Sequence, residues 1–98
     1  MSSYRLQHLV KGRPSFSTVI TDGAVAETVP GEELEGADLV VHVSPADAAA
    51  LGAGELTLDE GFMMGRVKIE GSMGLVMELI PVLRGADYGA AVAAAAAG

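Results

Sequence analysis

The pair Asp22-Gly23 lies between two segments in which apolar and other side chains alternate. Asp-Gly supplies the positive φ angles that a two-residue β-hairpin turn requires. The pair therefore predicts two antiparallel strands, over residues 15–21 and 24–29. One side of the first strand carries Phe16, Thr18 and Ile20.

Three further segments show the same period of two, and each predicts a half-buried strand. They span residues 4–10, 38–43 and 66–70. The side chains expected to face inward are Tyr4, Leu6, His8 and Val10 in the first, Leu39, Val41 and Val43 in the second, and Val67 and Ile69 in the third.

Helix-start signals appear only after the fourth strand. Ser44 can cap a helix that has Pro45 in its first turn and that is expected to end at Gly52. The segment Thr57-Leu58-Asp59-Glu60 repeats the signal for a helical turn or two that is expected to end at Gly65. Strands followed by helices, with one late strand, indicate an α+β fold.

The last part of the chain predicts one amphipathic helix and a low-complexity tail. Its apolar residues recur at helical spacing from Met73 to Leu83, and Pro81 is expected to kink or end the helix. Residues 86–98 are almost all Ala, and Tyr88 and Val92, four apart, are positioned to dock them. The expected organisation is a single domain over residues 1–85 followed by a tail or helix over residues 86–98.

Composition excludes several classes of protein. The chain has no Cys, so disulfides and thiolate chemistry are excluded, and no apolar run approaches the ~20 residues of a membrane span. The first residues do not resemble a signal peptide, so a cytoplasmic location is expected. Aromatic residues make up only 4% of the chain, so the core has to come from aliphatic side chains and Met.

The charge is strongly negative and unevenly distributed. The net charge is −7, and no Lys or Arg lies between Arg13 and Arg66, where ten carboxylates fall. Such a surface argues against nucleic acid and anionic membranes as partners. Solubility explains the excess of acid better than a site for a cationic partner.

A stretch over residues 54–79 carries a family resemblance. Its recurring pieces are Gly54, Phe62-Met63, Gly65, a cation at Arg66, Val67-Lys68-Ile69, Gly71 and the helix from Met73. The stretch resembles the C-terminal half of sterol carrier protein 2 (SCP2)-like domains, and weaker similarity reaches back to the hairpin, about two-thirds of the chain. The sequence departs from that pattern at Leu58, where Pro is common, at Gly61, where Ala is common, and in lacking the long helix that usually precedes the first strand.

The resemblance implies a five-stranded, mostly antiparallel sheet with short helices on one face and an apolar cavity between them. It also implies an apolar ligand such as a sterol, a fatty acid or an acyl lipid, and no cofactor. Carried over from the family, the lining residues would be Phe62, Met63, Met73, Val76, Met77 and Ile80. Strand alternation adds Phe16, Leu39 and Val41.

Three other interpretations of the same pattern stay open. The Met residues would also suit an aromatic-poor core with no ligand. An enzyme or enzyme accessory would use the cavity to position a hydrophobic substrate, with His8, Tyr4 or Glu78 as its polar group. A dimerisation module would cover, with a second copy, the surface that the missing helix leaves open.

No catalytic or metal-binding pattern accompanies these features. Alternation places His8 and His42 on opposite faces of the sheet, and neither has the spacing of a metal site. The acidic residues 32–35 lack the ordered spacing of a calcium loop. Ser44 and Ser72 are explained as helix caps.

Overall fold

The structure is a computed structural model that describes residues 3–97. Within them the elements are β1 (Ser3–Val10), β2 (Phe16–Thr21), β3 (Ala24–Pro30), β4 (Leu39–Val43), α1 (Pro45–Ala53), α2 (Leu58–Met63), β5 (Lys68–Gly71), α3 (Met73–Leu83) and α4 (Ala86–Ala97). The order of elements confirms the α+β class.

The strands form one sheet in the order β3-β2-β1-β4-β5. All neighbours are antiparallel except β1 and β4, which pair in parallel. The predicted sheet, five-stranded and mostly antiparallel, is therefore confirmed. The hairpin is also confirmed, because Asp22 has a φ of 51° and Gly23 a φ of 78°.

The inner face of the sheet and the helices share one hydrophobic core. The predicted alternation is confirmed: across the sheet, His8 pairs with Phe16 on one side and with Val41 on the other. The buried side chains contributed by the sheet include Leu6, Val10, Phe16, Ile20, Leu39, Val41, Val43 and Ile69.

On the outer face, Gln7 holds the connection between β3 and β4. Its amide Nε2 donates to the carbonyl oxygens of Phe16 and Gly31, both at 3.1 Å, and its Oε1 accepts from the amide of Glu33 at 2.8 Å. Burying an amide is favourable only when its polar atoms are paired in this way. The loop after β3 therefore covers part of the outer face.

Side-chain caps begin the first three helices as the sequence predicted. The hydroxyl of Ser44 accepts from the amide of Asp47 at 3.1 Å, and Thr57 and Glu60 form a reciprocal capping box. Ser72 accepts from the amide of Leu75 at 3.3 Å. Each cap pairs a backbone amide that the helix itself leaves free.

Two predicted boundaries were wrong. α1 continues past Gly52 to Ala53, because the left-handed C-cap is Gly54, with a φ of 79°. β5 begins at Lys68 rather than Arg66, because the amides of Arg66 and Val67 both bond to the carbonyl of Gly61 in α2.

Pro81 neither ends nor breaks α3, which continues to Leu83. Proline costs the helix one amide donor, and here the loss falls in the last turn. Burial of Leu83 in the core holds that turn in place.

The Ala-rich tail is helical as α4, and its predicted anchors Tyr88 and Val92 are buried. α4 lies against α1 so closely that a Cβ on Gly52 would come within 2.9 Å of the Ala93 Cα. Small residues on both helices permit this approach. α4 therefore adds to the core rather than projecting from it.

Gly71 occupies a position where alanine is expected to be destabilising by about 2 kcal/mol. Its φ is 130°, and a Cβ would lie 2.7 Å from the Leu39 Cδ2 and 2.8 Å from the Asp38 carbonyl oxygen. The control is Gly12→Ala, since Gly12 also has a positive φ but has open space around it. Urea unfolding should give the larger loss for Gly71→Ala, and equal losses would contradict the predicted clash.

Candidate functional site

Four of the five methionines are exposed on α2, its C-cap and α3. The exposed fractions are 82% for Met63, 62% for Met64, 44% for Met73 and 68% for Met77. We call these four residues the methionine surface. Their exposure contradicts the alternative that these methionines only fill an aromatic-poor core. An exposed group of large apolar side chains is typical of a binding site.

Beneath the methionine surface, burial increases toward the sheet. Phe62 and Ile80 are half-buried, and Val76, one turn from Met73, is buried with Leu79 and Leu83 along the adjoining side of α3. The predicted lining residues Phe16, Leu39 and Val41 are buried on the inner face of the sheet. The nine predicted residues therefore run from solvent into the core, and their contact with a ligand stays a prediction.

An ion pair fixes α2 to the end of α3. Arg84 Nη2 lies 2.6 Å from Asp59 Oδ2, and Asp59 is buried. The hydrogen bond from Arg84 holds the pKa of Asp59 below its ordinary value, against the opposing effect of burial. This pair holds together the two helices that carry the methionine surface.

A buried polar pair joins the sheet to α4. His8 Nε2 lies 2.6 Å from the hydroxyl of Tyr88, and the imidazole stacks on Phe16 with ring centroids 4.6 Å apart. Burial lowers the pKa of His8 to about 4 and raises the pKa of Tyr88. His8 is therefore neutral at pH 7, and it is too deeply buried to exchange a proton with a molecule at the surface.

Two buried polar atoms in this region have no hydrogen-bond partner within residues 3–97, namely His8 Nδ1 and Thr18 Oγ1. Both side chains lie on the inner face of the sheet, where Thr18 pairs with Leu6 and His8 with Phe16. The sequence did not predict the pair between His8 and Tyr88, because 80 residues separate its members.

Clefts flank α4 on both sides. One of about 300 Å³ lies toward α1 and is lined by residues that include Ala48 and Ala93. Another, of about 320 Å³, lies toward the sheet and is lined by residues that include Phe16 and Ala95. Alanine side chains are too small to fill these grooves, so clefts stay open beside α4 although the helix itself is in close contact with α1 at Gly52.

A wider cleft of about 570 Å³ opens where β1 and β4 end side by side. Its lining includes Leu9, Val10 and Val43, together with the cationic side chains of Lys11, Arg66 and Lys68. No residue of the sequence-predicted site belongs to this lining.

Among residues 3–97, no helix is long and apolar enough to cross a membrane.

Comparison with known protein families identifies the family of this chain. A profile of the SCP-2 sterol transfer family matches residues 5–84, from β1 to the end of α3. The chain belongs to this family. The resemblance recognised over residues 54–79 is thus confirmed, and α4 lies outside the matched range.

Solved structures of SCP2 proteins share the fold. Palmitated SCP2L2 from Aedes aegypti is 18% identical with a TM-score of 0.63, and the match covers 83% of this chain and 72% of that one. The sterol carrier protein domain 2 of Helicoverpa armigera is 26% identical with a TM-score of 0.59, over 88% and 68% of the two chains.

The SCP2 fold also occurs inside a larger enzyme. The stereoselective inverting sec-alkylsulfatase Pisa1 from Pseudomonas sp. is 19% identical with a TM-score of 0.62. The match covers 85% of this chain but only 13% of the sulfatase. A comparison with curated protein sequences found no match.

Proposed function

We propose that this SCP2 domain binds, and carries, an apolar molecule such as a sterol, a fatty acid or an acyl lipid. The observation that carries the proposal is the methionine surface on a chain of the sterol transfer family. Met is unbranched and polarisable, so it repacks around ligands of different shape at low cost. Burial of a lipid chain against such side chains supplies affinity at about 25 cal/mol per Å².

The ligand would enter at the methionine surface and extend toward Val76, Leu39 and Val41. Side chains now fill that space, so entry requires α3 or α4 to shift. Two features favour such a shift. Open clefts lie beside α4, and Phe62 and Ile80, on the same helices as the methionine surface, are half-buried.

Replacing Met73 and Met77 together by Gln should weaken the binding of a fluorescent fatty acyl probe about tenfold, which corresponds to about 1.4 kcal/mol. Both side chains are exposed in the structure, so the variant should keep its fold. The matched control is Leu34→Gln, because Leu34 is an exposed apolar residue in the loop between β3 and β4. Equal affinity in the two variants would place the ligand elsewhere.

A second candidate function follows from the sulfatase match. A domain with this fold occupies a small part of an enzyme that acts on alkyl sulfates. The same apolar site would then hold a hydrophobic substrate for a catalytic partner or domain. Substrate turnover by that partner, measured with and without this chain, separates the accessory role from transport.

We further propose that the chain performs no catalysis itself and acts in the cytoplasm. His8 is buried and neutral, and among the other polar candidates Tyr4 is half-buried and Glu78 is exposed on α3. Turnover of a bound acyl ester that is lost in His8→Gln would contradict the first statement. A dimer that buries the methionine surface, detected by native mass spectrometry, would favour the interpretation of the chain as a dimerisation module.

A further inference from the structure

The cleft at the ends of β1 and β4 concentrates positive charge on an acidic protein. The whole chain has six Lys and Arg residues, and three of them, Lys11, Arg66 and Lys68, line this one cleft. We call it the basic cleft. In a chain with a net charge of −7, half of the Lys and Arg side chains are thus gathered at one place.

Strand register explains how distant residues meet here. Leu9 in β1 pairs with His42 in β4, which in turn pairs with Lys68 in β5. These three side chains form one row across the outer face. Lys11 follows Leu9 on the same face, and its amide donates to the Val43 carbonyl at 3.1 Å.

Nearby carboxylates neutralise part of this charge. Arg66 donates to Asp47 Oδ1 through Nε at 2.8 Å and Nη2 at 2.5 Å. The Nε2 of His42 is hydrogen-bonded to Glu70, and Glu32 also lines the cleft. Glu70 also lies near enough to Lys68 to interact with it electrostatically. Within residues 3–97, neither Lys11 nor Lys68 forms a direct ion pair, so each ammonium group can still contact an anion.

The floor of the basic cleft is apolar. Leu9, Val10 and Val43 line it, and its volume of about 570 Å³ lies in the range of small-molecule sites. A small inorganic anion would leave this floor uncovered, whereas a neutral lipid would leave the two ammonium groups without a partner. The lining therefore fits a molecule with both an apolar chain and a negative group.

We infer that the basic cleft is a second binding site, for a small anionic amphiphile such as an alkyl sulfate. The alkyl chain lies on Leu9 and Val43, and the anionic group lies between Lys11 and Lys68. This site includes the outer face of the sheet, where Leu9, His42 and Lys68 lie, and it shares no residue with the proposed lipid site. It is independent of the proposed lipid site.

The test is chemical-shift mapping of the full chain with octyl sulfate below its critical micelle concentration. Octanol, which has the same alkyl chain but no charge, is the control compound. We expect octyl sulfate to shift the amides around Leu9, His42 and Lys68, and octanol to leave them unchanged. Lys11→Gln and Lys68→Gln should each weaken binding roughly threefold, since exposed charge pairs contribute modestly. Added salt should weaken it further.

Arg13→Gln is the matched control, because it removes the same charge from an exposed cation that lines the neighbouring cleft beside α4. It should leave the affinity unchanged. Equal binding of octanol, an equal loss in Arg13→Gln or no shift at the basic cleft would each overturn the inference. Shifts confined to α2 and α3 would overturn it while supporting the proposed lipid site, so the two proposals fail separately.

Discussion

Tyr88→Ala should destabilise the protein by about 4 kcal/mol and release α4 from the sheet. Tyr88 is the largest fully buried side chain in the core, and with Val92 it is one of only two large apolar anchors in α4. Truncation leaves a cavity beside the ring of His8 and removes the partner of His8 Nε2. The isolated Ala-rich helix is too short to be stable in water.

Urea unfolding gives the loss of stability, and amide hydrogen exchange shows whether α4 has lost its protection. Tyr88→Phe is the graded control, because it keeps the ring and removes only the hydroxyl bonded to His8. It should cost about 1–2 kcal/mol and leave α4 protected. An α4 that stays protected in Tyr88→Ala would contradict the role given to this anchor.

As the pH is lowered, the protein should begin to lose stability at pH values well above those at which carboxylates titrate. The pKa of His8 is about 4 in the folded protein and 6.5 in the unfolded chain, because burial disfavours the charged form. Between these values the unfolded state binds the extra proton, so stability falls as the pH falls. The expected loss is about 2 kcal/mol from pH 6.5 to pH 5, and about 3 kcal/mol by pH 4.

Between pH 7 and pH 5, the change in stability reports the protonation of His8. The pKa values of Asp47, Asp59 and Glu70 lie below their ordinary values, so these carboxylates lose their stabilising effect only at lower pH. His8→Gln should flatten the dependence between pH 7 and 5, whereas His42→Gln should retain it. A wild-type protein equally stable at pH 7 and pH 5 would contradict the burial of a neutral His8.

The sequence predicted most of the fold because its signals are local. The Asp22-Gly23 turn, strand alternation and the Ser44 and Thr57 caps each act over a few residues, and all appear in the structure. The boundaries that were wrong depend on distant contacts. The start of β5, for example, is set by bonds from Arg66 and Val67 to a carbonyl of α2.

The candidate sites were harder to predict, because they depend on which face a residue occupies after packing. Spacing placed Met73 and Met77 on one side of α3 but did not reveal that this side is exposed. The order of the sheet brings Lys11 and Lys68, 57 positions apart in the sequence, into the lining of one cleft. Neither the parallel pairing of β1 with β4 nor the bond between His8 and Tyr88 has a local signal.

The central claim is that this SCP2 domain binds an apolar ligand, and native mass spectrometry of the purified protein tests it most directly. Organic extraction then identifies any bound species, and displacement by a fluorescent fatty acyl probe shows that the two share a site. We predict a bound apolar molecule that the probe displaces, with weaker probe binding in the Met73→Gln/Met77→Gln variant. A mass equal to that of the chain alone, with no probe binding at high micromolar concentration, would contradict the claim.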